Sequence, residues 1–138
     1  MIPDAGFVLN RVLGAWAEGA GVPMAIENVG FTPARAPYVA AYDMPATPVA
    51  IDLAQQCKVY TGIYQITVSA PKGSGAEKVK ALAREVAGLF PTVGAGFPGD
   101  GFTVWIDTEP AIMPGLITGE WYAVPVSFRY RIHISPTS

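Results

Sequence analysis

The stretch "WYAVPVSFRYRIHI", residues 121–134, sets Tyr122, Val124, Val126, Phe128, Tyr130, Ile132 and Ile134 in one phase and Trp121, Ser127, Arg129, Arg131 and His133 in the other. Successive side chains of a strand point to opposite faces, so this phasing predicts a long strand with one face in a core and one outside it. Pro125 lacks a backbone donor, which favours an edge position or a bulge there.

A second alternating run precedes it at 58–70, with Tyr60, Tyr64, Ile66 and Val68 on one face and Thr61, Gln65, Thr67 and Ser69 on the other. "FTVWID", 102–107, is a third, with Phe102, Val104 and Ile106 inward. "MAIENVGF" at 24–31 and "YVAAYDM" at 38–44 read as shorter extended runs. Two segments carry helical spacing instead. Asp4 can cap a helix over about 5–18 with Val8, Leu9, Val12, Leu13 and Trp16 apolar, stopped by Gly19, Gly21 and Pro23. Val79, Leu82, Val86 and Leu89, with Ala83 and Phe90 beside them, mark a second helix that ends at Pro91. Residues 43–57 read as a long connection, and 91–101 as an irregular Gly- and Pro-rich surface loop. Both are expected to be mobile in an isolated subunit and to order on assembly.

One-faced strands and one-faced helices bury their apolar sides most simply as an α+β two-layer sandwich, a mainly antiparallel sheet with two helices packed on one face. At 138 residues the chain is expected to form a single domain, 1–138. Charged residues make up only 14% of it, against roughly 25% in ordinary soluble domains, which suits a protein that buries part of its surface against partners. A net charge of -2 with no basic run argues against binding nucleic acid by phosphate neutralisation. The single cysteine, Cys57, forbids an intrachain disulfide and fits a reducing compartment. Asn10 and Arg11 interrupt the apolar N-terminal residues, so neither a signal peptide nor a membrane anchor is expected, and the chain reads as soluble and intracellular.

Several stretches invite a chemical reading. "GSGAEK", 73–78, follows a strand and opens a helix as a phosphate loop does, but Ala76 and Glu77 stand where such a loop needs Lys and Ser or Thr. Lys78 occupies the third glycine position of a dinucleotide fingerprint, and a carboxylate in the first turn repels phosphate. A flexible turn is the better reading. Asp107 and Glu109 could share a face as an acid and base pair, yet paired carboxylates at strand ends are more often solvated. His133 is the only histidine, which removes a His-based metal site or relay, and Cys57 lacks a local His and Asn pattern of a nucleophile. No catalytic, metal or cofactor-binding residues are therefore assigned.

Trp105 and Trp121 fall on the outer phase of their strands, where they are either covered by 43–57 or 91–101 or present a contact surface between subunits. Arg129 and Arg131 lie on that same outer face and could pair with carboxylates of a neighbouring chain. These four are the candidate subunit or partner interface.

The order of elements joins three local strings, "ENVGFTPARAPYVAAYDMP" at 27–45, "YTGIYQITVSAPKGSG" at 60–75 and "GEWYAVPVSFRY" at 119–130. In this order and spacing, over most of residues 5–134, the chain resembles the tail terminator family of long-tailed bacteriophages, the minor tail protein U type. The resemblance implies a non-enzymatic subunit that forms a hexameric ring on the head-proximal end of the tail tube, stops tube polymerisation and offers the surface for head joining. Its implied partners are itself, the tail tube protein and a head-completion or connector protein, with no membrane and no sequence-specific nucleic acid, although phage DNA could pass through the ring. Its implied location is the host cytoplasm during assembly and then the virion tail. The alternatives are another head-to-tail joining or tail-completion protein, or a small-ligand-binding or hydrolytic domain using Asp107 and Glu109.

Overall fold

The computed structural model describes residues 4–25, 37–46, 49–50, 58–73, 76–92 and 96–134. Two 14-residue strands form the spine: β4, Lys58–Pro71, and β9, Trp121–Ile134, pair antiparallel from Lys58↔Ile134 to Pro71↔Trp121. Outside β4 lie β2, Tyr38–Pro45, and the two-residue β3, Val49–Ala50, both antiparallel to it. The short β1, Met24–Ala25, runs parallel to β2. The other side of β9 takes three pieces in succession: β6, Thr103–Ile106, β7, Ala111–Ile112, and β8, Leu116–Thr118. A last strand, β5, Gly96–Pro98, pairs with β6.

Helix α1, Ala5–Ala20, starts where the Asp4 carboxylate accepts the Phe7 N–H at 3.0 Å, which satisfies one donor the first turn leaves open. It ends at Gly21, whose left-handed φ of 69° lets the chain turn and give the Val22 N–H to Ala17 O at 2.9 Å. Helix α2, Ala76–Gly88, buries Val79, Ala83 and Val86. Both helices pack on one sheet face, sharing a core with Val39, Tyr64, Ile66, Val68, Val104, Val126 and Ile132. Because α1 touches β2 near one end of the sheet order and β5 at the other, the sheet curls around it. The α+β class, the antiparallel sheet and the single helical face are thus as the alternation predicts.

At the centre of the core, Phe90 lies 4.8 Å from Phe128, 6.0 Å from Tyr64 and 5.7 Å from Phe97, ring centroid to centroid. Phe90, just past the end of α2, is fully buried while Leu89 and Leu82 are only partly so. The apolar stripe of α2 therefore runs through Val79, Ala83, Val86 and Phe90 rather than through the leucines, and the small Ala83 lets the helix approach the sheet closely.

Three local expectations are corrected. The 43–57 connection begins later, because Asp43 to Pro45 continue β2 and Val49–Ala50 pair with β4; residues 51–57, including Cys57, lie outside the described residues. The 91–101 loop contains a strand, since Gly96–Pro98 complete a hairpin with β6. Glycine is required there because a Cβ on Gly96 would sit 2.6 Å from the Thr103 methyl. Pro125 is in an inner strand. Its carbonyl accepts the Met113 N–H at 2.8 Å, so its donorless nitrogen, on the same side of the strand, faces the gap where the partner chain leaves after Ile112 and returns at Leu116. Of the run 24–31, Met24–Ala25 is a strand as expected, and 26–31 lie outside the described residues.

Candidate interaction surface

The sheet face away from the helices carries the side chains of the outer phase. Register builds it row by row. Met44 lies opposite Ile63, and Ile63 opposite Arg129. In the adjoining row Thr61 lies opposite Arg131, and Arg131 opposite Trp105. Met44, Ile63 and Trp105 are 46%, 37% and 40% exposed, so three large apolar side chains stand in water on the face that carries Arg129 and Arg131. Met44, Ile63, Arg129 and Asp107 border a hollow of about 350 Å³ floored by Gly62 and Tyr130.

The two arginines differ. Arg131 Nη1 meets Asp107 Oδ1 at 3.0 Å, an exposed intrachain pair worth at most about 1 kcal/mol. The guanidinium of Arg129 has no partner among the described residues, although its backbone is fixed by Thr108, whose Oγ1 accepts the Arg129 N–H at 2.9 Å. The two tryptophans also separate. Trp105 stacks over Gly96 beside Arg131. Trp121 is ten positions along β9, roughly 33 Å away at ~3.3 Å per residue, and half-buried with its ring 5.1 Å edge-on from Tyr38. Trp105, Arg129 and Arg131 therefore form one patch, and Trp121 belongs to the opposite end of the sheet.

Asp107 and Glu109 do not form a pair. Asp107 is held by Arg131 on the outer face, whereas Glu109 borders a different hollow of about 400 Å³ with Phe90, Pro91 and Pro110 at the end of α2. Among the described residues no three His, Cys, Asp or Glu side chains gather as metal ligands, and no helix is long and apolar enough to cross a membrane.

Sequence reasoning missed several exposed apolar residues: Phe7 on α1, Tyr42 and Met44 on β2, and Ile112, Met113, Leu116 and Ile117 around β7 and β8. For β2 no phase stood out, because Tyr38, Ala40, Tyr42 and Met44 are as apolar as Val39 and Ala41. The signal for Ile63 was present, an aliphatic side chain between Thr61 and Gln65 in the polar phase of β4.

The chain belongs to the phage tail terminator family, and so to the structural proteins of phage tails: the family model described as phage tail terminator protein matches residues 7–130. A solved chain 26% identical to it aligns with a TM-score of 0.77, covering 97% of this chain and 99% of that one. A chain in the virion of a native gene transfer agent particle shares the fold, with 17% identity and a TM-score of 0.63 over 91% of this chain and 92% of the other. No curated protein matches.

Proposed function

We propose that the protein caps the tail tube as a hexameric ring, ends tube polymerisation and presents the surface to which the filled head joins. The observation that carries this reading is the family match over residues 7–130. The fold shared with a chain of a gene transfer agent virion supports it, as does an outer sheet face that leaves Met44, Ile63 and Trp105 in water. A ring of identical subunits joins two different patches on each, and its closure is what leaves no site for further growth. Its partners are then its own copies, the tube protein and a head-completion or connector protein, met in the host cytoplasm before the protein becomes part of the virion tail. The role is structural rather than catalytic, a reading that rests on the family match.

Deleting the gene in the parent phage or prophage and imaging the lysate tests the reading. Overlong headless tail tubes are expected. Tails of normal length that lack heads would instead favour a head-joining protein, and tails of normal length already joined to heads would overturn the assembly role.

A further inference from the structure

The ring reading leaves open which two surfaces meet. We infer that Phe7 of one subunit, with the neighbouring Asp100 carboxylate, docks into the Met44–Ile63–Arg129 hollow of the next.

Phe7 is 64% exposed, more than any other large apolar side chain among the described residues. Its turn of helix is rigid. Asp4 caps it, the Arg11 guanidinium lies 5.9 Å over the Phe7 ring, and Arg11 Nη2 donates to Pro98 O at 3.0 Å, tying α1 to the β5 turn. That turn brings Asp100 to the rim of the same surface, and the Asp100 carboxylate has no partner among the described residues. A fixed aromatic ring beside an uncommitted carboxylate is thus the counterpart of an apolar hollow beside an uncommitted guanidinium. Arg paired with a carboxylate and an aromatic anchor filling a pocket are the contacts that dominate protein interfaces.

Placement agrees with chemistry. Gly6 packs so closely on Asp43 that a Cβ there would lie 2.8 Å from Asp43 Oδ2, which puts the first turn of α1 behind β2 on the helix side. Met44, the next residue of β2, belongs to the outer phase. The two surfaces are therefore different patches, one on the helix side of β2 and one on the outer sheet face, as a heterologous contact uses. Pairing two hollows face to face would set Arg129 against Arg129, a like-charge cost that disfavours the symmetric dimer.

The test supplies the full chain and its variants in trans to lysates lacking it, with tail length read by electron microscopy. Thermal melting first establishes that each variant is folded like the wild type. Arg129→Glu, Asp100→Lys and Phe7→Ser are each expected to lose length control. Arg129→Glu combined with Asp100→Lys in one chain is expected to regain it. So is co-expression of the two single variants, because subunits that alternate around an even-membered ring make only matched contacts. If the single variants control length as well as the wild type, or if neither combination recovers, the contact is overturned while the wild-type control leaves the ring reading standing. If the wild-type chain itself fails to restore length, the ring reading falls and the contact with it.

Discussion

The Tyr130 hydroxyl donates to Asp43 Oδ1 at 2.6 Å, joining β9 to β2 across the strand that separates them. The side chain passes over Gly62 of β4, the residue paired with Tyr130, and a Cβ at Gly62 would strike the tyrosine ring and hydroxyl and come within 2.9 Å of Met44 O. Gly62→Ala is therefore expected to lower unfolding stability by about 1–3 kcal/mol through overpacking. Denaturant melts of the variant beside Gly19→Ala, where nothing lies within 4 Å of the added methyl, check it.

Two buried phenols predict an alkaline limit. Burial, reinforced by the charge of Asp43, pushes Tyr64 up, while its hydroxyl donates to Asn10 Oδ1 at 2.5 Å. Burial, then the bond to Asp43, pushes Tyr130 up further. Folded values above the ordinary phenol value of about 10 mean that the folded state favours the proton. Their stabilisation is complete below that pH and is lost as pH rises through the folded values. In an alkaline titration followed by phenolate absorbance, Tyr64→Phe and Tyr130→Phe should each remove signal from the late part of the transition, above the range in which exposed tyrosines ionise.

Asp107→Asn with Glu109→Gln is expected to change stability by no more than about 1 kcal/mol, because the Asp107 pair with Arg131 is exposed. Tail length control is expected to survive Glu109→Gln alone, because Glu109 lies outside the hollow that Arg129 and Asp107 line, while the double variant serves for the turnover assay. Loss of a measurable turnover in this variant would instead establish an enzyme.

The tryptophans should part in the same way as their positions. Trp121→Ala removes the edge contact with Tyr38 and is expected to lower stability by about 0.5–1.5 kcal/mol for that contact alone. Trp105→Ala is expected to affect assembly more than folding, as its indole is 40% exposed on the patch around Arg129. Urea melts and tail-length counts on both variants separate the two effects.

The spine of the fold was legible because β4 and β9 are long and each has a polar phase, so alternation alone assigns Tyr64, Ile66, Val126 and Phe128 to the core. Elements whose identity rests on a distant partner were not. Gly96–Pro98 is a strand only because β6 lies beside it, and a Gly-Pro string carries no periodicity of its own. The candidate patch was half legible. Trp105, Arg129 and Arg131 follow from phase, but phase does not report distance along a strand and so grouped Trp121 with them. Phe7 was hidden by its neighbours Val8 and Leu9, which belong to the buried stripe of α1 while it does not.

The side of β9 opposite β4 is cut into pieces, with β7 and β8 only two and three residues long and Pro125 at the break between them. An invading strand meets no ladder there long enough to hold it, so this flank is a poor seed for fibres. Whatever meets this flank therefore finds side chains rather than a continuous run of unpaired backbone groups among the described residues.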